Sequence, residues 1–140
     1  MTFRLLVILV MFAAVSACGK DSPTSPSVNA NVPYSQTDLV VGTGAEAQVG
    51  SRATVAYGGW LYDPNAAQNK GQNFDNGQFT FTVGQGVIMG FSQMVTGMRV
   101  GGRRRAVIPP NLGYGSQGNA QGGIPGNATL VFEVELLSVQ

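Results

Sequence analysis

The sequence predicts an α+β domain, a mostly antiparallel sheet with one short helix on its covered face. Two observations carry this prediction. Several segments alternate apolar and polar residues with the period of two expected of strands covered on one side. A single short segment repeats at helical spacing instead, and a helix there supplies the apolar surface that the alternating strands need.

The chain has 140 residues, of which 11% are charged and 44% hydrophobic, with 20 glycines. That composition fits one compact domain and excludes a charged, aromatic-poor disordered chain. At the N-terminus, Arg4 precedes an eleven-residue apolar run from Leu5 to Val15, the pattern of a secretory signal. The run is shorter than the roughly 20 apolar residues that a membrane span needs. The cleavage region that follows ends at Cys18, the one cysteine of the chain, and the stretch V-S-A-C from Val15 to Cys18 resembles the lipobox of bacterial lipoproteins. That resemblance implies cleavage before Cys18 and acylation of that residue. Several acyl chains make a stable anchor at about 0.8 kcal/mol per buried methylene, whereas one chain alone is marginal. The expected location is therefore outside the cytoplasm, lipid-anchored to a bacterial membrane. Gly19 in place of an aspartate resembles the sorting pattern for an outer membrane. Residues 1–17 are read as the signal peptide and residues 18–33 as the lipidated cysteine with a flexible Ser-, Pro- and Asn-rich linker. Loss of Arg4 with the signal lowers eight basic residues to seven, against seven acidic ones. The mature chain is formally neutral, and a nucleic-acid partner is not expected.

The domain proper is residues 34–140. RATVAYGGWLY, Arg52 to Tyr62, is rich in β-branched and aromatic residues and places Val55, Tyr57 and Leu61 on one face. FTFTV, Phe79 to Val83, alternates cleanly, after a turn over Asp63 to Gln72. Ile88, Phe91, Met94 or Val95, and Met98 recur at helical spacing, with Gly97 and Gly101 as stops. RRRAVI, Arg103 to Ile108, is a strand ended by Pro109-Pro110, because neither proline can donate to a ladder. Residues 111–126 carry six glycines, too many for a regular element, and long loops of this kind are usually functional. In TLVFEVELLSV, Thr129 to Val139, Leu130, Phe132, Val134 and Leu136 share a face while Glu133 and Glu135 point to water.

Absences remove several enzyme classes. The chain has no histidine, and its cysteine is assigned to the anchor, so Ser-His-Asp, Cys-His and His-ligated zinc chemistry are excluded. Neither a cofactor nor a metal is expected. The carboxylates show no pairing of the glycosidase type. Gly42-Thr43-Gly44 reads as a turn, with no helix opening after it. Arg99, Arg103, Arg104 and Arg105 read as a solvated edge that blocks sheet-edge association, with anionic lipid contact as the sharper alternative.

What remains is NFDNGQFTFTVGQGVIMGF, residues 73–91, where four phenylalanines gather around the single carboxylate of Asp75. Here residues 39–137 resemble the FKBP family of peptidyl-prolyl cis-trans isomerases. The likeness runs through LVVGTGAEAQVGSRATVAYGGWL, the Phe-Asp step at 74–75, VGQGVIMGF, VGGRRRAVIPPNLGYG and IPGNATLVFEVELL, five motifs in order at near-family spacing. It implies an antiparallel, twisted sheet of about five strands wrapped around one short α-helix. It also implies a proline pocket lined by Tyr57, Phe74, Asp75, Phe79, Phe81, Val87, Ile88, Phe91, Tyr114, Ile124 and Phe132. Of these, Tyr57, Asp75, Tyr114 and Phe132 would act on the rotating bond and the others would hold the substrate. The partners it implies are proline-containing polypeptides and macrolide ligands. Most buried Phe and Tyr merely pack, so it is their convergence with the glycine-rich loop that favours a pocket.

The chain departs from the family at four places. Phe91 stands where the pocket floor is usually tryptophan. Only NGQ separates Asp75 from Phe79, without the arginine that usually pairs with the aspartate. The turn from Asp63 to Gln72 is longer, and its Lys70 is the less favoured candidate partner for Asp75. Gly123 precedes Ile124 in place of a larger apolar residue. Two other classes compete with catalysis: a weak catalyst whose pocket chiefly holds unfolded exported chains, and a surface lipoprotein in which the domain is only a scaffold. The anchor has its own test. Cys18→Ser is expected to release the protein from the membrane fraction, and unchanged fractionation would refute the lipid attachment.

Overall fold

The computed structural model describes residues 31–140, so Cys18 and the segments on either side of it lie outside the described residues. Five strands, β1 (Ser35–Val40), β2 (Arg52–Tyr62), β3 (Lys70–Thr82), β4 (Arg103–Ile108) and β5 (Leu130–Val139), form one antiparallel sheet in the order β1-β4-β5-β2-β3. A two-turn helix, α1 (Met89–Val95), joins β3 to β4 and packs over β4 and β5. The predicted class, α+β with about five antiparallel strands around one short helix, is the one found.

The period-two pattern explains which face is covered. Val55 and Leu61 from β2, Ala106 and Ile108 from β4, and Leu130, Phe132, Val134 and Leu136 from β5 are buried under α1, which contributes Phe91, Met94 and Val95. The approach of helix to sheet depends on Gly90, where a Cβ would collide with the Ile108 side chain. Each fully buried aliphatic side chain in this layer contributes on the order of 1.5 to 3 kcal/mol relative to exposure.

Two expectations need correction. The strand predicted at 79–83 begins nine residues earlier, at Lys70, and the preceding turn is correspondingly shorter, with a 3-10 turn at Ala67–Asn69. Apart from Phe74, residues 72–78 are polar or glycine and give no apolar alternation, but pairing with β2 carries them into the sheet. The arginine cluster is not a solvated edge: β4 lies between β1 and β5, and the edges are β1 and β3. Arg104 is 8% exposed. Its Nε donates to Asp38 Oδ1 at 2.6 Å, and Nη1 donates to the carbonyls of Met94 at 2.9 Å and Thr96 at 3.2 Å. Since α1 has no basic residue in its own last turn, Arg104 supplies from the sheet the cation that a helix C-terminus favours.

The neighbouring arginines face the other way. On the outer face, Glu133 receives Lys70 at 2.7 Å, Arg105 at 2.9 Å and Arg103 at 3.8 Å. It is therefore covered by cations and does not point freely to water as predicted. Burial pushes its carboxyl pKa up, but hydrogen bonds from Lys70 and Arg105 outweigh burial and hold it below the ordinary range.

Candidate functional site

The inner face of the sheet is open at one end of α1, and there a cavity of about 180 Å³ forms. β2 gives it Tyr57; β3 gives Phe74, Asp75 and Phe79; the loop before α1 gives Gly86, Val87 and Ile88; α1 gives Phe91; the glycine-rich loop gives Tyr114; β5 gives Phe132. Phe74 and Asp75 are consecutive, yet both line it. A β-bulge is the cause. Gly59 pairs with Asp75 and Trp60 with Asn73, which leaves Phe74 as the extra residue, and a bulge of this kind re-aims a side chain that strict alternation would send to the other face. Gly59 makes room for the result, because a Cβ there would lie 2.7 Å from the Phe74 ring and 2.9 Å from that of Phe132.

Phe91 is the hub of the rings. Its centroid lies 5.3 Å from Phe132, 5.6 Å from Phe81, 5.7 Å from Phe79 and 6.1 Å from Tyr57, edge-on to Tyr57 and Phe132. Phe74 meets Phe132 edge-on at 5.6 Å. These separations and tilts are the ones at which aromatic pairs gain about 0.5 to 1.5 kcal/mol beyond burial. Phe81 does not line the cavity. It is stacked behind Phe79 at 5.2 Å and supports the wall from the core. Ile124 lines a second cavity of about 310 Å³, together with Asn119, Gln121 and Gly122, which shares Phe74, Asp75 and Tyr114 with the first. The loop tip forming this groove is closed by reciprocal backbone hydrogen bonds between Asn119 and Ile124, at 2.8 and 2.9 Å.

Few polar groups reach the apolar cavity. Tyr57 Oη donates to Asp75 Oδ2 at 2.7 Å, so the partner that orients the aspartate is a phenol. Lys70 is not that partner, because it lies on the outer face against Glu133 and 4.4 Å above the Trp60 ring. The Ile88 N–H and the Tyr114 hydroxyl make no hydrogen bond among the described residues, which leaves two donors at the cavity free to bind a guest. Sequence reasoning missed Gly86, whose positive φ of 73° shapes the loop before α1. It also missed Asn119, Gln121 and Gly122, which carry no motif. A larger cavity than the apolar one, about 350 Å³, lies on the outer face beside Trp60, Asn76, Arg103 and Glu133. Beside Trp60 it gathers the charged groups of Arg103, Glu133 and Glu135 and the amides of Asn73 and Asn76, so its size does not make it the better apolar site.

Residues 44–137 match the family model of FKBP-type peptidyl-prolyl cis-trans isomerases. A FK506-binding protein of Neisseria meningitidis serogroup A is 44% identical over 73% of this chain and 92% of its own length. FK506-binding protein 2B of Rhizopus delemar is 41% identical over 100% of this chain. Among solved structures, a peptidyl-prolyl cis-trans isomerase from Pseudomonas syringae superposes with a TM-score of 0.65 at 30% identity, covering 87% of this chain and 86% of the other. FkpA from Escherichia coli gives 0.64 at 33% identity over 76% of this chain. The chain spans 65% of the length of the Rhizopus relative and 48% of FkpA.

The Tyr57–Asp75 pair predicts an alkaline titration. Burial, then the hydrogen bond and charge of Asp75, then Tyr114, push the Tyr57 pKa up to about 12 from an ordinary value of about 10. A raised folded-state pKa means that the neutral phenol is the favoured form. Its contribution to stability is full below about pH 10 and is lost as pH rises through about 12. In ultraviolet titration, the step absent from Tyr57→Phe is expected near that value in the parent chain. In Asp75→Asn it should fall only part of the way back, because burial remains. An identical titration in Asp75→Asn would contradict the pairing.

Proposed function

We propose, because this chain belongs to the family of FKBP-type peptidyl-prolyl cis-trans isomerases, that it accelerates rotation about Xaa-Pro bonds in exported proteins and so assists their folding. The observation that carries the reading is the convergence of five phenylalanine and tyrosine rings from β2, β3, α1 and β5 on one cavity with two unpaired donors at it. Secretion and attachment through Cys18 belong to the same proposal, supported by the signal pattern and the V-S-A-C stretch. So does capture of a macrolide in the pocket, supported by the names of the FK506-binding relatives.

Rotation about a peptide C–N bond faces a barrier of about 18 to 20 kcal/mol, because resonance must be lost, and Xaa-Pro bonds are those that populate both isomers. No covalent step is required. The twisted transition state carries less charge on its carbonyl oxygen than the planar amide, so a water-poor apolar pocket favours it over the ground state. A thousandfold acceleration requires only about 4 kcal/mol of that preference. Phe79, Phe91 and Phe132 grip the proline ring. Ile88 N–H and Tyr114 O–H donate to the flanking carbonyls, and the Tyr57–Asp75 pair biases the rotating carbonyl from within the cavity. Val87 and Phe74 complete the wall. The competing reading, a weak catalyst whose pocket chiefly binds, rests on the missing arginine and the Phe91 floor; against its first ground, the Tyr57 hydroxyl gives Asp75 a partner.

Exchange spectroscopy on an Xaa-Pro peptide with the full chain tests the proposal. Catalysed exchange is expected, reduced at least tenfold by Tyr57→Phe, Asp75→Val and Phe132→Tyr combined. No acceleration, or an acceleration that the triple variant leaves unchanged, would sink this site. Saturable binding with negligible turnover would favour the binding-only reading.

A further inference from the structure

Asp75 stands where two cavities meet. It lines both the apolar cavity and the 310 Å³ groove that continues from it past Phe74 and Tyr114. Its Oδ2 accepts the Tyr57 hydroxyl, while Oδ1 accepts no hydrogen bond among the described residues. A carboxylate can accept at about four positions, so a single phenol leaves most of that capacity unused.

The described basic residues are placed away from it. Lys70, Arg103 and Arg105 surround Glu133 on the outer face, Arg104 is bound to Asp38, and Arg99 to Glu46. Arg52 sits at the far end of β2, opposite Thr82. No lysine or arginine lines either cavity, and the side chains that Asn119 and Gln121 bring to the groove are uncharged amides. The combined cleft therefore carries one charge, which is negative and lies at the junction. Apolar walls around it strengthen the field that a guest experiences there.

We infer that the cleft selects proline-containing segments with a basic side chain, lysine or arginine, next to the proline, and that Asp75 at the mouth of the groove is the group that selects them. This rests on the isomerase reading and names its substrate class. With the proline in the apolar cavity, the neighbouring side chain reaches the groove. Its alkyl stem lies against Phe74 and Tyr114 and its cationic head meets Asp75 Oδ1, a division of apolar stem and charged tip that suits long basic side chains. A glutamate at the same place meets like charge. Because Asp75 is exposed, the discrimination is modest and salt-dependent.

Two series of tetrapeptides, with Lys, Gln or Glu immediately before or immediately after the proline, test this by exchange spectroscopy with the full chain. In at least one series, kcat/KM for the lysine peptide is expected to exceed that for the glutamate peptide by about three- to fivefold at low salt, with glutamine between, and to converge at high salt. Gln121→Lys adds a cation to the groove at a residue that is not itself assigned to the isomerase machinery. It is expected to remove the lysine preference. Equal turnover of the three peptides in both series, or an order that neither salt nor Gln121→Lys moves, overturns the inference and leaves the isomerase reading standing. No acceleration of any peptide overturns both.

Discussion

The ring of Phe91 is the point at which folding and binding use the same atoms. It is 3% exposed and belongs to the buried core, yet it is also the floor of the cavity, touched edge-on by Tyr57 and Phe132. Its position depends on α1, and a helix of two turns with no side-chain cap at its N-terminus holds little of its own. The sheet fixes it instead. Gly90 lets the helix backbone settle on Ile108, and Arg104 reaches up from β4 to the carbonyls at the end of the helix. A buried cation with two carbonyls and a carboxylate around it is well satisfied, and removing it would leave those acceptors without their donor.

The two faces of the sheet divide the chemistry between them. Outside, three cations converge on Glu133 and a lysine covers the only tryptophan. Inside, apart from Arg104 at the closed end of α1, the surface is aliphatic and aromatic, and the polar groups at its open end are a phenol, a carboxylate and two unpaired donors. Strand alternation produces this separation, because neighbouring residues of β4 and β5 face opposite ways. It is also why Lys70, only five residues from Asp75, cannot serve it: one belongs to the outer face and the other to the cavity. A cavity walled mainly by rings offers few polar groups to stabilise a planar, charge-separated amide, which is the property that the proposed isomerisation uses.

The legibility of this fold follows the range of the interactions that made each part. β2 could be read from Arg52 to Tyr62 and β5 almost residue for residue, because each has one covered face and its pattern is local. The buried face of α1 was equally plain in Phe91 and Met94, although the helical repeat was read on to Met98, which is buried but lies past the helix end at Val95. Residues 70–78 could not be read as strand, since all but Phe74 are polar or glycine, as suits an edge position, and their extended form comes from pairing with β2. The role of Arg104 depends on Asp38, 66 residues away, and alternation alone could not place β4 in the interior of the sheet. At the site, periodicity put Tyr57, Phe79 and Phe132 on apolar faces, but the convergence of Phe74, Val87, Ile88 and Tyr114 with them was legible only through family resemblance. The bulge that turns Phe74 inward, like the partition of Ile124 into the neighbouring groove and Phe81 into the core, is a matter of three-dimensional register that no local pattern encodes.

The central claim is that proline is held among the rings around Phe91, not in the larger polar cavity on the opposite face. Intermolecular nuclear Overhauser contacts between an Xaa-Pro peptide and the full chain test it directly. The account predicts contacts from the proline ring methylenes to the ring protons of Phe79, Phe91 and Phe132. Contacts confined to Trp60 and the residues beside it on the outer face would contradict it.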